Sequence, residues 1–402
     1  MTTTAPWAAE ALDALLSANA RRMAGSHWVA EPADNPIEFT GGIPDPETLP
    51  VEALMAAART VLTREPQQAL EYGGSQGYIR LRELIAERVV PYDGIRAENL
   101  AITAGGYPAL QTICDTFLDP GDVVLVDAPA WGGFIRLARA VGAEIVGVPL
   151  DGQGPVIEAA DEALTRAAAE GRRAKLIYTI PTFQNPMGVT FTAERRRALV
   201  DVAARHKVLI VEDDPYGDLR FTGERVPSVF SLAEGEGVLK AGTFSKIIAT
   251  GLRAGWIQGA KEYVDATLRM RFDNGTSPFV CRMIAAYIEG GTLEPHIEAM
   301  RGVYRAKCEA MLSALDESCA HLATWTQPEG GFFVWLTLKD GLKLADVMRY
   351  AGEERVAVVP GTSFFADGGG QQNIRLAFSN VDESEIAEGI RRLARAISRA
   401  QG

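Results

Sequence analysis

Between residues 100 and 259 the chain alternates short apolar runs with amphipathic stretches, and no other feature limits its fold as tightly. LAIT, DVVLVD, AEIVGVPL, KLIYTI and KVLIVEDD read as strands. Between them AGGYPAL, WGGFIRLARAVG, residues 158–169 and TAERRRALVDVAARH read as helices. Strands separated by helices of this length imply βαβ units, an α/β fold class and a mostly parallel central sheet. In such a sheet ligands lie beyond the carboxyl ends of the strands. The residues that follow each strand are therefore where chemistry is expected.

Four of those loops carry informative residues. Gly105-Gly106-Tyr107 puts free backbone N–H groups at a helix N-terminus, which suits a phosphate. It lacks the GxGxxG spacing of a dinucleotide site. Pro129-Ala130-Trp131 offers an aromatic face, and Trp131 would serve equally as a core or interface aromatic. Pro181-Thr182-Phe183-Gln184-Asn185-Pro186 holds an amide beside a proline, a pattern that turns also use. Asp213-Asp214-Pro215-Tyr216 places carboxylates after the apolar run VLIVE, where they could cap the strand or hold Mg²⁺; with no Walker lysine motif upstream the metal is discounted. Each reading has a plain alternative. Their joint placement after successive parallel strands favours a site.

The stretch VLKAGTFSKIIATGLRAGWIQG (238–259) adds the reactive group. A strand-like run leads into Thr243-Phe244-Ser245-Lys246, and Arg253 follows before the next apolar run, AGWIQG. A lysine between buried strands is costly unless it is paired or covalently used. The two hydroxyls and the guanidinium can together hold a phosphate. A lysine beside a phosphate site is what pyridoxal phosphate (PLP) chemistry requires, because the amine forms a Schiff base with the cofactor aldehyde. The chain has eight lysines, and Lys240 is the nearest rival, but no hydroxyl cluster surrounds it. Lys307 lies in a charged helical stretch.

Composition narrows the alternatives. The chain has 402 residues, 47% of them hydrophobic and 23% charged, which suits a soluble protein of two lobes. A net charge of −12 argues against nucleic acid as a partner. No run reaches transmembrane length, and the N-terminus lacks the pattern of a signal peptide. The four scattered cysteines suit reduced thiols in a cytoplasm, and the four histidines form no cluster with acids at ligand spacing, so no metal is expected.

Toward the ends the signals are sparser. Residues 6–24 are helical in pattern and end at Arg21-Arg22, either of which could meet a distal substrate carboxylate or face solvent. Gly41-Gly42 allows a tight backbone approach or a plain turn. Glu71–Gly77 is a Gly-rich loop before a helix, a common connector. After helical patterns over 260–273, 277–289 and 293–315 the chain reads as an α+β lobe: HLATW, FFVWLTL, a helix over 342–351, RVAVVPG, NIRLAF and a helix over 382–398. Arg375, inside NIRLAF, needs an anion, which a substrate carboxylate or a protein acid could supply.

Taken together, YTIPTFQNPMG, IVEDDPY and GTFSKIIATGLRAGW resemble the fold-type I PLP-dependent aminotransferases of class I/II, in particular the branch of 2-aminoadipate and kynurenine aminotransferases. The likeness runs from GGIPDPETLP to NIRLAFS. It implies a large domain with the central sheet (46–295), a smaller α+β domain (296–402), and an N-terminal arm that joins the small domain (1–45). By the resemblance, Lys246 would form the Schiff base and shuttle the proton. Asp213 would pair with the pyridine nitrogen, and Asn185 and Tyr216 would bond the ring 3′-oxygen. Trp131 would stack on the ring, where the family usually has Tyr or Phe. Gly106, Tyr107, Ser245 and Arg253 would hold the phosphate. Tyr72 would reach the phosphate of a neighbouring subunit, which implies a homodimer. Arg375, with Asn185 and Gly42, would face the substrate, Arg375 taking its α-carboxylate.

Two departures concern the pocket. The family often reads Gly-Ser-Gln-Gln where this chain has Gly105-Gly106-Tyr107-Pro108, so a side-chain hydroxyl contact is lost. Thr250 stands where the family usually has Pro. The expected activity is transfer of an amino group from an α-amino acid to a 2-oxo acid by a ping-pong route. A PLP-dependent lyase or decarboxylase would use the same residues. A PLP-sensing regulator would need a DNA-binding domain, and only about 40 residues precede GGIPD.

Overall fold

The apolar runs assemble as the alternation requires. The structure, a computed structural model, describes residues 14–23 and 35–401. A short strand β1 (Ile37–Glu38) precedes β2 (Leu100–Thr103), β3 (Val123–Ala128), β4 (Glu144–Asp151), β5 (Gly154–Pro155), β6 (Ala174–Thr179), β7 (Leu209–Asp214), β8 (Val238–Thr243) and β9 (Gly255–Gln258). The last eight form one sheet in the order β2-β9-β8-β7-β6-β3-β4-β5. β4, β3, β6, β7 and β8 pair in parallel, each crossing being long enough for helices or loops over the sheet faces. Every residue of β2, β8 and β9 is buried, as expected where helices cover both faces.

β9 breaks the parallel pattern. It runs antiparallel to both β8 and β2. The segment from Phe244 to Ala254 that joins β8 to β9 is too short for a right-handed helical crossover, so the chain turns back on itself. This reversal brings the end of β2, the end of β8 and the start of β9 together: Thr103 and Thr243 are both in register with Gly255. The loops after β2 and β8 therefore open at one place.

A second sheet follows. β10 (Ala323–Trp325), β11 (Phe333–Leu338), β13 (Val359–Pro360) and β14 (Asn373–Ala377) are antiparallel in the order β10-β11-β14-β13. The short β12 (Val356–Ala357) pairs in parallel with β1, so the segment after residue 35 joins this lobe. Long helices Leu293–Cys319 and Glu383–Ala400 pack on one another beside it.

Some expectations shift. Of the helical pattern over 6–24, Ala18–Arg22 is helical, and residues 1–13 and 24 lie outside the described residues. Arg22 donates to the carbonyls of Ala140 (3.1 Å) and Val141 (3.3 Å) at the end of the helix Gly132–Val141, so it serves as a cap for that helix. The helix expected over 260–273 stops at Leu268, since Asn274 and Gly275 take positive φ in the turn beyond it. Lys307 sits in a helix, as its charged stretch suggests, but its side chain is buried. Its amine is paired with Asp45 and also donates to the Val381 carbonyl at 2.7 Å.

That pair fastens the 40–48 segment to the long helix, with side-chain exposures of 6% and 11%. Removing one member of a buried pair leaves the other charge unpaired and costs about 3–5 kcal/mol. Lys307→Met is expected to lower stability by roughly that amount. Lys307→Met with Asp45→Asn should recover part of the loss, because the stranded carboxylate is gone. Urea-unfolding midpoints of the three proteins check this, and equal losses in the single and double variants would show that packing, not charge, is what Lys307 supplies.

Candidate active site

The aligned strand ends build a small cradle. Gly105 has φ +110°, a conformation that L side chains rarely adopt, and a Cβ there would stand 2.9 Å from Nη2 of Arg253. Gly106 opens the helix Gly106–Phe117, and a Cβ on it would meet Thr243 Cβ at 3.5 Å. The Thr243 hydroxyl lies 2.9 Å from Ser245 Oγ and accepts from the Ser245 N–H at 3.1 Å. Arg253 donates to the Thr250 carbonyl at 3.3 Å and forms no ion pair among the described residues. Glycine backbone, helix N-terminus, two hydroxyls and a free guanidinium thus meet, a donor set for a phosphate.

Behind the cradle are two consecutive carboxylates in different surroundings. Successive strand residues face opposite sides. Asp213 is buried and accepts a hydrogen bond from the Tyr178 hydroxyl at 2.8 Å. Burial pushes its carboxyl up to about 7, with the Tyr178 bond and Lys246 opposing. Tyr178 is itself stacked on Phe134, with ring centroids 3.7 Å apart and planes within 3°. Asp214 pairs with Lys240 at 3.2 Å. Burial works against its charge, yet Lys240 and Arg225 hold its carboxyl below the usual range.

The lysines divide in the same way. Lys240 is buried and ion-paired with Asp93 at 3.0 Å as well as with Asp214. Lys246 makes no ion pair among the described residues, and its amine donates to the Gly42 carbonyl at 2.7 Å. Burial lowers it to about 8, with Asp213 opposing and Arg375 and Arg253 adding to the fall. A desolvated amine near neutrality is a competent nucleophile and base.

Arg375 closes the other side. Its Nη1 donates to Asn185 Oδ1 at 3.1 Å and its Nη2 to the Thr40 carbonyl at 2.6 Å. The guanidinium lies over Phe333 at 4.4 Å and Phe364 at 5.0 Å. Its Nε is buried without a partner, and no protein carboxylate pairs with it among the described residues. Burial lowers it to about 10. Tyr216 is buried, its hydroxyl raised chiefly by burial, and the Asn185 side chain hydrogen-bonds to it. Gly42 must be small, since a Cβ there would lie 2.5 Å from Phe333 Cζ.

Lys246, Asp213, Tyr216, Asn185, Arg375 and Gly42 are therefore neighbours, and Gly106, Ser245 and Arg253 share the adjoining cradle. Trp131 and Tyr107 stand edge to face, with centroids 5.6 Å apart. Tyr72 is apart from the rest and 90% exposed. Sequence reasoning passed over Tyr178, although a tyrosine near the end of the otherwise apolar KLIYTI is a signal for a polar partner. It also passed over Phe333 and Phe364, whose role depends on the second sheet.

The chain is similar to several known proteins. The family model for aminotransferase class I and II matches residues 36–393. The aromatic-amino-acid aminotransferase 1 of Thermococcus litoralis is 39% identical, over 90% of this chain and 88% of its own. The 2-aminoadipate transaminase of Thermus thermophilus is 36% identical, over 90% of each. The crystal structure of Pyrococcus horikoshii kynurenine aminotransferase, in complex with PMP, superposes with a TM-score of 0.91 at 34% identity, covering 96% of this chain and 98% of that one.

The lowered Lys246 gives a pH prediction. An amine that titrates near 8 in the folded protein, against about 10.4 when unperturbed, becomes nucleophilic as pH rises through 8. The rate at which cofactor-free protein captures PLP should therefore rise with pH and level off above about 9. Stopped-flow absorbance would measure it. A rate still climbing toward pH 10 would mean that burial does not lower this amine.

Proposed function

The chain belongs to the class I and II aminotransferases, and from that premise we propose which of its residues carry out the transfer and how the protein is assembled. It is a PLP-dependent enzyme that moves an amino group between an amino acid and a 2-oxo acid. The observation that carries the residue assignment is the pair of cations withdrawn from water, half-buried Lys246 and buried Arg375, neither of which forms an ion pair among the described residues.

The residues present fit PLP. The cradle of Gly106, Ser245 and Arg253, with Tyr107 beside it, would hold the phosphate. Asp213, buried and steadied by Tyr178, would hold a proton on the ring nitrogen. Asn185 and Tyr216 would bond the ring 3′-oxygen, and Trp131 would cover the ring. When bound, PLP supplies an electron sink for the charge that develops at the substrate Cα. Lys246 would be the catalytic base of this reading: its amine would take the proton from the substrate Cα and return it on the other side of the transfer. Arg375 would hold the α-carboxylate as a bidentate fork, with the unpartnered Nε and the aromatic faces of Phe333 and Phe364 fixing its plane. Gly42 would leave room for the substrate beside it.

The same reading divides the chain into an arm and small-lobe piece (1–45), a large lobe (46–295) and a small lobe (296–402). The eight-stranded sheet within the second, and the pairing of β1 with β12, support it. A homodimer is supported by Tyr72, 90% exposed, and by other large apolar side chains left uncovered on the same protomer, among them Leu70 and Phe272. A cytoplasmic setting is supported by four cysteines that are all unpaired and buried.

Two experiments check this. Arg375→Lys keeps the charge but loses the planar fork, so affinity for donor and acceptor should fall together by about tenfold to a hundredfold. Half-reaction titrations with an aromatic donor, 2-aminoadipate and 2-oxoglutarate would measure both. Loss of only one substrate would mean that Arg375 reads a side chain. For the dimer, Tyr72→Phe and Lys246→Ala subunits are mixed. If Tyr72 serves the neighbouring site, each mixed dimer regains one intact site and its activity exceeds that of either parent. No gain in mixed dimers isolated by differential tagging would place Tyr72 elsewhere.

A further inference from the structure

Beneath the candidate site lies a buried ionic cluster that the transfer itself does not use. Lys240 points from the middle of β8 into the interior, and its side chain is 6% exposed. Its amine bonds Asp93, the last residue of the helix Ile79–Asp93, at 3.0 Å and Asp214 at 3.2 Å. Asp93 also accepts from Ser228 Oγ at 2.6 Å and Gln258 Nε2 at 2.9 Å. Glu212, in register with Lys240 on β7, accepts the backbone N–H groups of Val229 and Phe230. Arg196 and Arg225 act on Asp214 from further away. One ammonium thus sits among three carboxylates in a desolvated space.

Asp214 has a second bond, with Oδ1 accepting the Gly217 N–H at 3.0 Å. That bond closes the turn on which Tyr216 stands. Asp214 is also the covalent neighbour of Asp213, which is faced by Tyr178 from β6, by Lys246 from the loop after β8, and by Tyr216 from its own turn. We propose that Lys240 is a positioning residue for the transfer: it offsets part of the charge of Asp214, limits how far that charge acts on Asp213, and holds the 214–217 turn that carries Tyr216. The proposal rests on the reading that Asp213 serves the cofactor ring nitrogen.

The physical reason is Coulombic. Two adjacent carboxylates in a low-dielectric interior raise each other's pKa unless one is compensated. Asp213 is already pushed up to about 7 by burial, so a neighbouring charge decides its state at neutral pH. A protonated Asp213 cannot keep the ring nitrogen charged. Losing Lys240 would take the paired ammonium from Asp93 and leave Asp214 only the more distant Arg225 and Arg196, which pushes Asp213 up. A higher pH would then be needed to ionise it, so the acidic limb of the rate profile moves up.

The test uses the PLP-loaded enzyme and its variants Lys240→Met, Asp214→Asn and the double variant. Three quantities are measured against pH: the rate of the amino-donor half-reaction, the absorbance of the bound cofactor, and the thermal midpoint. In Lys240→Met the acidic limb and the spectral titration should both move up by about one pH unit, about a fivefold loss at pH 7. Adding Asp214→Asn should bring both back toward the wild-type position while the thermal midpoint stays low, a separation that a merely structural role would not give. Should Lys240→Met fail to fold, Asp214→Asn alone decides: with one negative charge removed, its limb should move down, and an unmoved limb overturns the proposal. Parallel loss of rate in single and double variants, with limbs unmoved, overturns it as well. Asp213→Asn separates the two levels. If that variant keeps full activity, the reading of Asp213 itself is wrong; if it is inactive while Lys240→Met leaves the limb in place, only the role of Lys240 is wrong.

Discussion

The cost of burying a cation without a counter-ion governs this molecule. Lys246 and Arg375 are both withdrawn from water, and the nearest partners of each are dipoles: the Gly42 carbonyl for one, the Thr40 carbonyl and the Asn185 amide oxygen for the other. Dipoles and aromatic faces offset part of the desolvation penalty but not all of it. The remainder shows as the downward shift of both groups, which burial causes. A protein can retain such charges where something it binds completes them. On the proposed reading a cofactor aldehyde would consume the amine, and a substrate carboxylate would satisfy the guanidinium.

The other two buried lysines define the contrast. Lys240 and Lys307 are more deeply placed than the half-buried Lys246, yet each has a carboxylate against its amine. Their charges are satisfied within the chain, and they hold elements together. Sequence context alone separates these three poorly. Lys240 and Lys246 lie six residues apart in one loop-and-strand unit. What favours Lys246 in the sequence is its hydroxyl neighbours and Arg253; what favours it in the structure is that no carboxylate forms an ion pair with it among the described residues.

The same contrast explains how far the sequence could be read. The strands of the large sheet are legible because a parallel strand buried on both faces is a continuous apolar run, and its length separates it from a helix. The residues after those strands could be named as candidates because fold topology sends ligands there. The reversal at β9 was not foreseen, since it depends on how little chain joins it to β8. Long-range polar contacts were also out of reach. Lys240 meets Asp93 across 147 residues, and Arg375 meets Thr40 across 335. No local pattern encodes such a pairing. The apolar setting of Arg375 could say that it needed an anion, but not that every protein acid would prove to be elsewhere.

One short segment gathers these constraints. Between Ile37 and Asp45 the chain pairs with β12 and then crosses toward the large sheet. There it gives the Thr40 carbonyl to Arg375, the Gly42 carbonyl to Lys246 and the Asp45 carboxylate to Lys307. Ser379 fixes it from the other side through the Ile43 carbonyl at 2.7 Å. An irregular segment exposes its carbonyls, which a regular strand or helix would spend on its own ladder. That is why a loop, and not an element, can serve three cations at once. It also ties two cations that form no ion pair among the described residues to one piece of backbone, which Lys307 anchors to the helix Leu293–Cys319.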